Sequence, residues 1–207
     1  MTMFRDRESI RSRLDPSTPP EDAARRSLNY IRDTLERSSS FTAVPGWGNV
    51  FIGVVGVSAA WIASSQQTEA RWLLVWMGAA AVSLAVGAVT VSMKAMKIGI
   101  PVFGGPGRKF VFGLAPAFFS GALLTAILYE AELVDLLPAV WLLLYGAAIV
   151  SAGIHSIPLI RLLGLAFMFL GTTTFFTPPV WGDGLLALGF GVFHLATGVA
   201  IIKRYGG

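Results

Sequence analysis

From Trp72 to Met93 the chain carries no charged side chain, and from Phe110 to Tyr129 it again carries none. A helix needs about 20 apolar residues to cross a hydrocarbon layer roughly 30 Å thick. Inside that layer every backbone N–H and C=O must be satisfied by the protein itself. Six segments meet the length, near 47–64, 72–93, 110–129, 137–154, 158–177 and 184–202. None shows the apolar/polar alternation of barrel strands. The sequence therefore predicts an all-α membrane fold: a six-transmembrane-helix bundle over 46–204, behind a tail over 1–45. Composition agrees, with 54% hydrophobic and 14% charged residues, against about 25% charged in ordinary soluble domains. A soluble enzyme, a disordered chain and a fibrous protein are excluded. The absence of cysteine removes disulfides, thiolate metal sites and cysteine nucleophiles.

Proline sharpens the boundaries. Pro45, Pro101, Pro106, Pro138, Pro158, Pro178 and Pro179 fall at or between the expected helix ends, where a missing N–H costs least. Pro116 lies inside the third span and predicts a kink there. The first apolar run starts near Trp47, behind a long charged stretch, and is expected to stay as an anchor.

Charge sets the orientation. Every Lys and Arg except Arg71 falls on the side that carries the N-terminus, while Glu69, Glu130, Glu132, Asp135 and Asp183 fall on the other. The positive-inside rule then places both termini in the cytoplasm, which requires an even number of spans. Trp61, Trp72, Trp76, Trp141 and Trp181 lie near the outer interface, as an aromatic belt would. The net charge of +4 reads as orientation and attraction to anionic inner-leaflet lipid. No motif supports nucleic-acid binding.

In the tail, Thr18, Pro19 and Glu21 form a helix-start signature, predicting a helix over about 19–37. Its apolar face is Ala24, Leu28, Ile31 and Leu35, with Arg25, Arg26, Arg32 and Arg37 on or beside the polar face. An amphipathic helix of this kind lies in the inner interface, docks on the bundle, or binds a partner helix.

Three helical hairpins resemble one another. Their second helices read WLLVWMGAAAVSLAVG (72–87), WLLLYGAAIVSAG (141–153) and LLALGFGVFHLATG (185–198). Their first helices read FIGVVG (51–56), VFGLAP (111–116) and IRLLGLAF (160–167). Shared membrane composition alone could produce this likeness; duplication of a two-helix unit would give a pseudo-threefold bundle. The pattern resembles the two-helix repeat of HdeD-like six-span bacterial membrane proteins. The segment LNYIRDTLERSSSFTAVPGWG (28–48) is similar to the juxtamembrane stretch of uncharacterised bacterial six-span proteins. The resemblance implies a bacterial inner-membrane location and no known activity, so it transfers no functional residue. Small residues at four-residue spacing (Ala79, Ser83 and Gly87; Ala147 and Ser151; Ala187 and Gly191) predict close helix contacts within the bundle, or a homo-oligomer face.

His194 is the strongest chemical candidate, about 14 Å along its helix from Lys203. An ionisable side chain at that depth is a proton or ligand site by default, or else a neutral imidazole bonded to a neighbour. Thr172, Thr173, Thr174, Ser83, Ser120 and Ser151 are candidate partners, with Thr173 and Ser151 taken as the speculative site. His155 lies at a different depth, so one haem cannot bridge the two histidines. Arg25, Arg32, Arg161, Lys203 and Arg204 are expected at lipid headgroups. Residues 104–109, GGPGRK, read as a flexible basic loop, and Glu130, Glu132 and Asp135 as topological charges. No metal site or cofactor is expected. The leading functional expectation is a non-enzymatic membrane scaffold, accessory or stress-response protein. A passive carrier for a small neutral or lipophilic molecule is the alternative. A membrane enzyme or cofactor-binding protein built on His194 ranks below both.

Overall fold

The computed structural model describes residues 43–99, 105–154 and 156–205, together with Arg25 and Ser27–Tyr30. Met1–Ser39 and Ser40–Gly207 are separate compact units. In the first, Arg25 and Ser27–Tyr30 are helical. The rest of the expected 19–37 helix, including Arg32, lies outside the described residues, as does His155.

The second unit is all-helical among its described residues. Helix α1 spans Gly46–Ala63, α2 Glu69–Lys97, α3 Gly105–Glu130, α4 Leu137–Gly153 and α5 Pro158–Thr174. The last helix is continuous but changes pitch. It runs as α6 over Gly182–Leu186, a π-helical segment over Ala187–Phe193, and α7 over His194–Tyr205. Five of these stretches are long and apolar enough to cross a membrane; α5, at 17 residues, is shorter than that standard. It reaches about 25 Å at helical rise. The chain is thus a multi-pass membrane protein by its described helices.

Local chemistry explains the ends. Thr68 caps α2, its hydroxyl accepting from the Arg71 N–H, which satisfies one of the orphan donors of a first turn. Pro138 and Pro158 sit in the first turns of α4 and α5, where no N–H is required. Gly105–Lys109, expected as loop, belongs to α3 instead, because Pro106 is tolerated in a first turn. The helix continues through Pro116.

Packing departs from three hairpins. Helix α1 packs on α2, and α3 on α4, as expected, but α5 packs chiefly on α4 and the last helix on α1. Helix α5 meets the last helix mainly through the rings of Phe167, Phe190 and Phe193. Glycine decides these partners. A Cβ at Gly146 would lie 2.7 Å from the Gly164 carbonyl oxygen, and one at Gly164 would lie 2.8 Å from that of Gly146. Gly46 and Gly198 face each other in the same way, at 2.9 and 2.7 Å. Two antiparallel pairs, α4–α5 and α1 with the last helix, therefore approach backbone to backbone. Close approach of this kind supplies the van der Waals contact that associates helices in lipid.

Candidate functional site

His194 opens α7 immediately after the π segment and is 1% exposed. Its Nε2 lies 2.7 Å from Tyr145 Oη. Tyr145 comes from the middle of α4, one residue before the Gly146 that brings α5 close. Phe167 of α5, fully buried, meets the imidazole edge-on at 5.4 Å between centroids. Phe190 stacks over it at 6.3 Å and 16°. The imidazole thus sits in a buried aromatic box built by three helices.

His194 lies in the interior, and the hydrogen-bond partner it meets is Tyr145 rather than Thr172, Thr173, Thr174 or Ser151. Thr173 Oγ1 donates to the Leu170 carbonyl at 2.8 Å, and Thr172 and Thr174 likewise turn back on their own helix. Ser151 is exposed on α4. A helical Thr readily bonds the carbonyl three or four residues back, so these hydroxyls are already used. The missed signal was Tyr145, a lone phenol in mid-span whose hydroxyl needs a partner when buried.

Nδ1 of His194 is buried without a hydrogen-bond partner, although the carbonyls of Gly189 and Phe190 in the π segment lie beside the ring. If Tyr145 donates to Nε2, the proton of the neutral ring resides on Nδ1 and faces those carbonyls. An unsatisfied buried donor costs about 1–3 kcal/mol. A π segment is a local defect in a helix, and such segments recur at functional positions.

A second cluster lies toward the end of the bundle where α2 and α6 begin, the end that also carries Arg71. Asp183, in the first turn of α6, accepts through Oδ1 from two indoles: Trp72 Nε1 at 2.8 Å and Trp76 Nε1 at 3.1 Å. Trp72 stacks on Trp141 at 5.4 Å and 7°, and Trp141 Nε1 donates to Thr125 Oγ1 at 2.8 Å. Trp72, Trp76 and Trp141 are therefore turned inward, contrary to the expected belt; Trp61 and Trp181 remain exposed. Asp183, read from the sequence as a topological charge, is the acceptor around which two of them gather.

Of the expected headgroup contacts, Arg25, Arg161, Lys203 and Arg204 are exposed. Arg161 lies at the start of α5, its Cγ against Gly153, and Lys203 and Arg204 end α7. Lys94 Nζ, near the end of α2, donates to the Val44 carbonyl at 3.1 Å, tying α2 to the entrance of α1. Among the described residues no cluster of His, Asp and Glu is arranged to hold a metal ion.

Fold and clusters together define a multi-pass, all-helical membrane protein with a closed aromatic interior. No family model, curated protein or solved structure matches the chain; the resemblance to HdeD-like proteins has no match behind it.

Proposed function

We propose that this chain is a six-span bacterial inner-membrane protein, with both termini in the cytoplasm, that acts as a non-enzymatic scaffold, accessory or stress-response component. The observation that supports this is the contrast in burial along its spans. In the most apolar windows of α2 and α3 only 6% of residues are buried, against 44% in α1 and 56% in α4. A closed core thus carries two long apolar helices whose outer faces are available to lipid and to partner helices. Leu84 and Phe119, 57% and 72% exposed, mark those faces. Photo-crosslinking residues placed at these two positions should yield protein adducts in native membranes, identified by mass spectrometry. Lipid adducts alone at both positions would overturn the accessory role. The six-span, N-in topology has its own test. Reporter fusions at Gln67, Leu133 and Trp181 should read outside, and those at Gly105 and Gly207 inside. An outside C-terminus would sink it.

One observation favours a second reading, a proton or ligand site at His194: its unpartnered Nδ1 beside a π segment. Gln can hydrogen-bond but cannot take up and release a proton as an imidazole does. Wild type and His194→Gln, compared in liposomes, should then differ in pH-dependent flux or in bound small molecules. Indistinguishable variants would leave His194 as a packing residue.

A further inference from the structure

A cavity of about 250 Å³ opens beside the tryptophan cluster, at the end of the bundle where α2, α4 and α6 begin. Its walls include Gln66, Glu69, Trp72, Asp135, Pro138 and Asp183. Three carboxylates and no basic side chain line it, and among the described residues none of the three is ion-paired. The Asp183 carboxylate is held in place, because Oδ1 takes both the Trp72 and the Trp76 N–H. The Trp72 ring that carries one of those donors is itself a wall of the cavity, backed by the stacked ring of Trp141. Rigid Pro138 and Pro179 complete the rim.

We propose that this cavity binds an organic ammonium group, received against a wall in which the Trp72 indole and the Asp183 carboxylate are hydrogen-bonded to each other, with Glu69 and Asp135 adding negative potential at the rim. Three features carry this beyond the presence of acidic residues. The volume accommodates a small ligand rather than a bare ion. The wall includes an indole, the ring type that attracts alkylammonium cations most strongly. The principal carboxylate is oriented before any ligand arrives, which lowers the ordering cost of binding. A divalent metal fits poorly, since no three donors converge among the described residues. The ammonium could belong to a soluble molecule or to a choline-type lipid headgroup of the adjacent leaflet; the recognition chemistry is shared. The inference is independent of the accessory role.

The test uses the full chain in vesicles of phosphatidylglycerol, with choline as probe and 3,3-dimethyl-1-butanol as its neutral isostere. Tryptophan fluorescence should respond saturably to choline and not to the alcohol. Asp183→Asn keeps a carbonyl oxygen for both indoles but removes the charge, and should weaken choline about fivefold, the size of one partly exposed charge interaction. Glu69→Gln, on the exposed rim, should weaken it about twofold; it carries the test if Asp183→Asn does not fold. Repeating the titration in phosphatidylcholine vesicles separates the sources. Suppressed choline binding there identifies the headgroup as occupant, and an unchanged response identifies a soluble ligand. Equal responses to choline and the alcohol, or undiminished affinity in both variants, would overturn the proposal.

Discussion

Helices α2 and α4 are almost equally apolar to the eye, yet one is barely covered and the other is the best-buried span in the molecule. Trp76 and Ala95 are the buried residues of α2; nine are buried in α4, among them Gly146 and Gly153. Hydropathy does not separate them, because lipid is as apolar as a helix interface. What separates them is where glycine meets backbone. A Cβ at Gly146 would press into the Gly164 carbonyl and Met168, whereas one at Gly78 of α2 would meet nothing within 4 Å. In a bilayer, then, small residues report burial only where a second backbone answers them.

The sharpest way to break that comparison is to fill both positions. Gly146→Leu and Gly164→Leu should each destabilise by about 3 kcal/mol or more, since overpacking against backbone cannot be relieved by a rotamer change. Gly78→Leu should leave stability unchanged or raise it by up to about 1 kcal/mol, since the added side chain meets open space and a helix-interior glycine is lost. Unfolding in mild detergent measures all three. A large loss at Gly78 would show that α2 is covered in the protein's working form, and would point to an oligomer or partner on that face.

The same comparison shows what could be read from the sequence. The helices fall within a few residues of the expected spans, because charge and proline bound them on either side. The pairing of helices was not legible. Sequence adjacency suggested that the fifth and sixth spans form a hairpin, but Gly46, Gly53, Gly191 and Gly198 bind the last helix to α1 instead. The stripe Ala79, Ser83 and Gly87 is half-buried toward α1, with Ile52 Cδ1 3.8 Å from where a Gly87 Cβ would be. On α4, by contrast, the expected Ala147–Ser151 face is the less buried one: Ala148 and Ala152 are buried, Ala147 is half-buried and Ser151 is exposed. Four-residue spacing names several faces of a helix, and only the partner selects among them. His194 was legible as a mid-span titratable group; Tyr145 and the π segment were not. A phenol looks like any aromatic core residue, and a π turn depends on neighbouring carbonyls rather than on composition.

A smaller effect tests the two clusters against each other. In the interior, Tyr145→Phe leaves the buried His194 Nε2 unpaired and should cost about 1–3 kcal/mol. His194→Leu should cost a similar amount by orphaning the Tyr145 hydroxyl. The double variant should lose less than the sum, by about 0.6 kcal/mol and at most about 1.7, the average and the maximum for hydrogen bonds between membrane helices. Strict additivity in a double-mutant cycle would mean that the 2.7 Å contact contributes no energy. At the end of the bundle, Trp72→Phe should cost less than Tyr145→Phe. Asp183 keeps the Trp76 donor, and its carboxylate is only partly buried, so water replaces what is lost.

The smallest effect lies at a turn and should be a gain. Helix α3 is followed, two residues past its end, by Glu132 at φ 57°, the one non-glycine residue with positive φ among those described. The Leu133 N–H bonds the Leu128 carbonyl at 2.9 Å, and the Glu132 N–H bonds that of Tyr129 at 3.1 Å. That pattern is a Schellman cap, whose left-handed position is usually glycine. A side chain there crowds its own backbone by about 1–2 kcal/mol, offset in part by the chain freedom that glycine adds to the unfolded state. Glu132→Gly should therefore stabilise the turn between α3 and α4 by up to about 1 kcal/mol. The measurement is detergent unfolding alongside Ala126→Gly, at an exposed position inside the helix. That second substitution should destabilise by about 1 kcal/mol, because glycine in a helix interior carries only the entropy cost. Equal and unfavourable shifts for both would mean that the Glu132 carboxylate is held by something at the membrane surface, outweighing its strained backbone.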